Sequence, residues 1–449
     1  MGVQAGAEGQ LHGIGKTQGQ SLSELHEMLR KLETDGSAES EDAEPIRVKI
    51  RAALPSTDTG GGLPQKKTPS GRTQVLHMNY MHSQSEKGIE TELEHLRFFA
   101  KTAQELGLKL EILTHRECRE AVSQELETAE YAGLEYTLTV SQNPVAKWAE
   151  DSVEYLEGGT LAVLNPFEEQ LLAWAMTAGR RRRWLGKISS ENLEAALQED
   201  HLWVPLGIWV NARETTATLE RMARESGSAV GHIRAYIEGG NMITGEDATG
   251  QPVILVGKDA IATTAHLYQL NIDEVKQIIR EDFGLETLEQ VICVEQPGQF
   301  HLDMGILFLG KGVVVVNDSS EALKEATEMA EAVPCMTTKT MAAKLKLQCG
   351  LETDAAQDLE ATGITVIREK LENDVSYNFF NGEFVVGQDG FDYYITNGGP
   401  EDKEKQFETL MVKDWNVVKR VIFSPRETAQ KSLQERGGVG CRLKGMHKL

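Results

Sequence analysis

The apolar positions divide the chain into a polar first stretch and a long remainder with a regular rhythm. From about residue 72 onward, short apolar strands bounded by glycine-rich turns alternate with stretches of helical periodicity. Thr73 to Tyr80 predicts an extended segment. Glu86 to Leu106 predicts a helix with Leu93, Leu96 and Phe99 on one face, and Leu108 to Leu113 a returning strand. Four hairpins follow. Ser152 to Leu164 turns at Gly158-Gly159, and Tyr236 to Val256 turns between Gly245 and Gly250. Leu302 to Val316 turns at Gly310-Lys311-Gly312, and Phe379 to Thr396 between Gly387 and Gly390. Helices are predicted after the last three hairpins, over Ile272 to Phe283, Ser320 to Ala332 and Glu401 to Val412. Strands at Gln290 to Val294 and Val417 to Phe423 close two of these units. Strands alternating with helices define an α/β class. Recurrence at roughly 60–90 residues is longer than ordinary solenoid periods and predicts pseudo-symmetric modules about one centre.

Two segments stand outside the rhythm. Residues 1–71 are rich in Gly, Gln, Ser, Asp and Glu, end in Thr59-Gly60-Gly61-Gly62-Leu63-Pro64, and read as a disordered tail. Within it, Leu22 to Leu29 carries a short amphipathic patch able to fold against a protein partner. The folded domain is then expected over 72–449. It is interrupted at about 168–211 by a helical insertion around Arg180-Arg181-Arg182-Arg183. A solvated turn is the first reading of that arginine run, and docking to an acidic partner the second.

Composition narrows the function classes. The chain has 449 residues and 40% hydrophobic content, enough for a large core. Acidic residues outnumber basic ones, 69 against 46, for a formal charge of −23. That argues against a nucleic-acid surface and suits a cationic ligand. No apolar run reaches the roughly 20 residues of a membrane-spanning helix, so no membrane partner is expected. Met1 to Gln20 lacks the apolar core of a secretory signal. Five cysteines, with no Cys-x-x-Cys pair, read as free thiols in a reducing compartment. The expected location is cytoplasmic, with non-classical export left open.

Four polar clusters carry the candidate chemistry. Cys441 follows Gly437-Gly438-Val439-Gly440, where glycines permit close backbone approach. His301 and Asp303 stand two apart on a predicted strand, so both side chains would leave one face. Trp148-Ala149-Glu150-Asp151 opens a hairpin, and Glu238-Gly239-Gly240-Asn241 opens another. Each has a bland reading: an inert thiol, a core histidine satisfied by its neighbour, a surface carboxylate. Together they supply a nucleophile, an imidazole and several acids. That set suits attack on the carbon of a guanidinium, a group that stays charged at any physiological pH.

In this order the motifs resemble the guanidino-group-modifying enzymes of the pentein superfamily, which includes arginine, agmatine and peptidyl-arginine deiminases and amidinotransferases. The resemblance covers about residues 72–449 and implies an α/β propeller of about five pseudo-symmetric ββαβ modules around a central site. It implies that Asp151 and Asp303 bind the guanidinium and that Cys441 attacks it. His301 would act as acid and then base, oriented by Glu238. Deimination would release ammonia and leave a ureido group, without metal or organic cofactor. Transfer of the amidino group to an amine would use the same intermediate. Glu150 departs from the pattern, since many members carry Arg or Gln there. Gly440 stands where many carry His. A metal-dependent hydrolase built on His301 and Asp303 lacks a second histidine at ligand spacing. A catalytically silent binding module of the same architecture is the reading of a different class. Homo-oligomerisation is left open.

Overall fold

The computed structural model describes residues 56–164 and 215–447, except 70, 72, 269, 298–300, 372, 374–375 and 436, with four isolated positions nearer the N-terminus. The arginine run, the predicted insertion and nearly all of the Leu22 to Leu29 patch lie outside these residues.

Five separate mixed sheets form among the described residues, and all are built alike. In each, an antiparallel pair is extended by a strand parallel to its second member. The first sheet contains β1 (Thr73–Tyr80), β2 (Lys109–His115) and β3 (Tyr136–Ser141), running parallel. The second comprises β4 (Val153–Tyr155), β5 (Leu161–Val163) and β6 (Val230–His232). The third is β7 (Met242–Glu246), β8 (Pro252–Gly257) and β9 (Val291–Val294). The fourth is β10 (Ile306–Gly310), β11 (Val313–Asn317) and β12 (Thr365–Glu369). The fifth is β13 (Gly382–Val386), β14 (Asp392–Thr396) and β15 (Arg420–Phe423). The last strand, β16 (Leu443–His447), returns to the first sheet and pairs antiparallel with β1, Met78 opposite Leu443.

Parallel neighbours require crossovers, and helices supply them. Helix α1 (Glu86–Leu106) links β1 to β2, capped by Ser85 at its start and ended by Gly107 at φ 67°. It buries Leu96, Phe99, Ala100 and Ala103 in a core shared with Leu76, Leu110 and Ile112. Helix α2 (Arg119–Leu126) links β2 to β3, and α3 (Lys258–Tyr268) with α4 (Ile272–Asp282) link β8 to β9. Helices α5 (Ser320–Ala332) and α6 (Met336–Glu360) link β11 to β12, and α7 (Glu401–Thr409) links β14 to β15. Helix α8 (Arg426–Gln434) leads toward Cys441. No helix among the described residues is long and apolar enough to cross a membrane.

Two expectations change. His301 and Asp303 do not sit on a strand. A 3-10 turn covers Leu302–Met304, with the amides of Met304 and Gly305 bonded back to the carbonyls of His301 and Leu302, and β10 begins only at Ile306. Leu302, fully buried, pins the turn into the core. The second change concerns residues 57–69, assigned to the polar tail by composition. They lie along the folded body, where Gln65 donates to the Tyr155 carbonyl at 2.9 Å and Lys67 to that of Thr244 at 3.1 Å. Thr59, Gln65 and Thr68 are buried. Backbone pairing holds a strap whose side chains give little hydrophobic signal.

Candidate active site

Each sheet contributes to one place in the same manner: a polar side chain just ahead of the first strand of its antiparallel pair. Asp151 precedes β4, Glu238 precedes β7, His301 and Asp303 precede β10, Asn381 precedes β13, and Cys441 precedes β16. The structure brings all of them together. His301 Nε2 lies 2.6 Å from Glu238 Oε2, and His301 Nδ1 lies 3.9 Å from Asp151 Oδ1. Cys441 Sγ is 3.7 Å from Asp303 Oδ2. Asn381, not singled out by the sequence analysis, ties Cys441 to Asp303. Its Nδ2 donates to Asp303 Oδ2 at 2.7 Å and to Cys441 Sγ at 3.2 Å, while its Oδ1 accepts from the Cys441 amide at 3.3 Å. Of the five cysteines, Cys118 is buried elsewhere in the core of the first sheet, and Cys335 is exposed.

The glycines serve close approach. A Cβ at Gly240 would stand 2.5 Å from His301 Nδ1, and one at Gly438 would meet the side chains of Asn397 and Asn381 at 2.5–2.7 Å. Gly438 keeps φ at −114°, so it is retained for space and not for a left-handed backbone. Asn397 in turn accepts from the Val439 amide at 2.9 Å and donates to the carbonyls of Asn378 and Asn381. The Gly-rich approach to Cys441 is thus threaded through an asparagine frame. The signal available in sequence was Asn381-Gly382 and Asn397-Gly398-Gly399, polar–glycine clusters at strand ends like those flanking the other site residues.

The electrostatics are those of a crowded, largely buried, acidic site. Burial pushes the Asp151 carboxyl up to about 7; nearby Glu238 and Asp303 add to this and His301 opposes it. Asp303 rises to about 6, again chiefly through burial, with His301 pulling the other way. Burial disfavours a charged His301, but the Glu238 hydrogen bond and the surrounding carboxylates outweigh it and hold the imidazole at about 9. Burial first, then Asp303 and Asp151, raise the Cys441 thiol well above its ordinary value. Asp151 Oδ1 and Asp303 Oδ1 are buried with no hydrogen-bond partner among the described residues. Unpaired buried carboxylate oxygens are costly, and they mark where a donor with positive charge belongs.

Glu150, the departure from the family pattern, faces away from this cluster. Its carboxylate pairs with Lys67 of the strap and lies 3.3 Å from Lys444 on β16. Glu154 joins them, 2.8 Å from Lys444 and 3.4 Å from Lys67. Lys67 Nζ also reaches the carbonyls of Gly239 and Met242, both at 3.3 Å. It thereby fastens the Glu238 loop to the Glu150–Asp151 loop. Glu383 completes the group, its carboxyl pushed up to about 8 by burial and by Glu150. Lys67, Glu150 and Glu383 line a cavity of about 40 Å³ together with Asp303 and Gly440, among others.

No family model and no curated protein matches the sequence. The fold has counterparts, with 18 chains of solved structures matching it. The agmatine deiminase of Enterococcus faecalis superposes with a TM-score of 0.54 at 11% identity, covering 88% of this chain and 98% of that one. A structural-genomics target assigned as a candidate agmatine deiminase gives 0.52 at 11% identity, covering 87% and 97%. What is shared at this identity is the fold of agmatine deiminases.

Proposed function

We propose that this chain is a cysteine-dependent guanidine deiminase whose five sheets stand as propeller blades around the site. The observation that carries the reading is the pair of buried oxygens without a hydrogen bond among the described residues, Asp151 Oδ1 and Asp303 Oδ1, beside Cys441 and the His301–Glu238 pair. A guanidinium donates N–H groups to both aspartates by charge-assisted hydrogen bonds. Its charge offsets the acids that raise the Cys441 thiol, so the thiol proton is released to solvent as substrate enters. The thiolate attacks the guanidinium carbon and forms a C–S bond. Protonated His301 gives its proton to the departing nitrogen, the C–N bond breaks, and ammonia leaves a thiouronium on Cys441. Neutral His301 then takes a proton from water, whose oxygen adds to the same carbon. Collapse breaks the C–S bond and expels the thiolate while the hydroxyl proton passes to solvent, leaving a ureido product and His301 protonated again. Glu238 keeps the imidazole oriented and charged, and Asn381 Nδ2–H steadies both the sulfur and Asp303. Glu150 adds no net repulsion toward the substrate, because Lys67 and Lys444 neutralise it.

The structural counterparts make agmatine the first substrate to test, followed by free arginine and arginine peptides. Purified full-length chain and its Cys441→Ala variant are incubated with each, and ammonia and ureido product are measured. Equimolar ammonia and ureido product from the parent alone supports the reading. A new guanidino compound formed on an added acceptor amine replaces it with amidino transfer. Binding without turnover of any guanidine overturns it.

A further inference from the structure

A second cluster, sharing no residue with the one described above, lies at the ends of the two central strands of the first sheet. Parallel strands β1 and β2 run in register, with Tyr80 beside Thr114. The chain leaving β1 presents His82, the last residue of β2 is His115, and the 3-10 turn that follows (Arg116–Cys118) carries Glu117. The two imidazoles stack with centroids 5.5 Å apart and planes 14° from parallel. His82 Nδ1 lies 3.4 Å from Glu117 Oε2, and one donor atom from each of the three residues lies within 4.8 Å of the others. His115 Nδ1 is buried without a hydrogen-bond partner among the described residues. His82 and Glu117 are partly solvent-exposed, so both are free to adjust. Cys118, next in sequence, is buried in the core of this sheet and stays outside the donor set.

We infer that His82, His115 and Glu117 form a binding site for a divalent transition metal of the zinc class, distinct from the Cys441 cluster. Two imidazoles and a carboxylate suit zinc, copper or nickel and disfavour calcium or magnesium, which take oxygen ligands. Metal–ligand bonds of about 2.0–2.2 Å bring tetrahedral donors to roughly 3.3–3.5 Å of each other. Donors now within 4.8 Å reach that spacing by side-chain rotation of the exposed His82 and Glu117. A metal would join these three side chains, now only close to one another, through bonds. The open coordination positions face solvent, where water completes the shell.

The test uses the full chain, stripped of metal with a chelator and titrated with Zn²⁺ against a chromophoric competitor. The parent, Glu117→Ala, His82→Ala and His115→Ala are compared, so that exposed thiols such as Cys335 contribute equally to all. The parent is expected to bind one more equivalent than the variants at matched zinc. Loss of even a residue that merely supports a ligand weakens metal affinity by about 10–100-fold, and loss of a direct ligand by at least as much. Zinc should also raise the thermal midpoint of the parent and leave that of Glu117→Ala unchanged, a substitution at an exposed position that keeps the fold. Unchanged stoichiometry and affinity in all three variants overturns the site. So does a zinc-induced stabilisation that survives Glu117→Ala.

Discussion

Two groups of buried charge lie back to back in this molecule, joined through neighbours Glu150 and Asp151, and they are resolved in opposite ways. In the inner group, Lys67 and Lys444 face Glu150 and Glu154, and Glu383 keeps its proton until about pH 8. Two lysines balance two carboxylates, and a protonated acid adds nothing. In the site group, the cation within salt-bridge reach among the described residues is His301, and one oxygen on each of Asp151 and Asp303 is left without a hydrogen bond among them. Similar residue types thus make a closed framework in one place and a more open, acid-rich socket in the other. Charge balance separates the framework from the candidate site.

The sharpest way to break the comparison is at the nucleophile. Cys441→Ala should reduce ammonia release from agmatine or arginine by roughly 10⁴-fold or more, because no other group in the site can form the covalent intermediate. The urea midpoint of the variant should stay near that of the parent, since a small side chain is lost. Turnover that survives would remove Cys441 from the reaction.

Next in size is a break in the balanced group. Lys67→Met leaves Glu150 short of a partner and two loop carbonyls unbonded, and should destabilise the chain by about 3–5 kcal/mol in urea unfolding. Adding Glu150→Gln should recover part of the loss by removing the stranded charge. A double variant no better than the single one would mean that the lysine acts through packing alone.

Changing the socket should have a different signature. Asp151→Asn or Asp303→Asn should lower kcat/KM by about 10–100-fold with little change in unfolding, as expected for one charge-assisted hydrogen bond. Bound to the Cys441→Ala background, guanidino compounds should lose their advantage over ureido analogues. Equal loss for both classes would show that charge is not what these acids read.

The pH profile tests the site group as a unit. Asp303 at about 6 and Asp151 at about 7 must be ionised to hold the cation, so kcat/KM should fall on acidification through that range. His301 must carry its proton, so activity should fall again above about 9. Because the Glu238 carboxylate helps to raise His301, Glu238→Gln should move the alkaline limb to lower pH. A limb that does not move would assign it to another group.

The smallest effect is expected at Glu383. Its carboxyl is raised by burial and by Glu150, so between about 4.5 and 8 the unfolded chain loses a proton that the folded chain keeps. Stability contributed by the protonated acid is therefore lost over that window. Glu383→Gln should match the parent near pH 4 and become the more stable of the two by pH 7–8 in denaturant unfolding. A loss at neutral pH would mean that Glu383 is ionised in the balanced group.

Much of this was legible in residues alone. The hairpin turns at Gly158-Gly159 and at Gly310-Lys311-Gly312 were readable because positive-φ positions favour glycine, and Lys311 itself has φ 49° between two such glycines. Helices Glu86–Leu106 and Ser320–Ala332 announced themselves through apolar periodicity. Helix Met336–Glu360 did not: Met336, Met341 and Leu347 are exposed, so its apolar residues blur the amphipathic pattern. The strap at 57–69 was hidden for the related reason that backbone pairing leaves no trace in side-chain type.

What the sequence by itself determined is local: which stretches extend or coil, where glycine permits a turn, and which segments carry a thiol, an imidazole or an acid. These follow from propensity and periodicity, which act over a few residues. The tertiary structure decided what distant residues do to each other. It set β16 against β1, turned Glu150 toward Lys67 and Lys444, and placed Asn381 between Asp303 and Cys441. Charge interactions depend on distance in space and on burial, and neither is encoded in the spacing of residues along a chain.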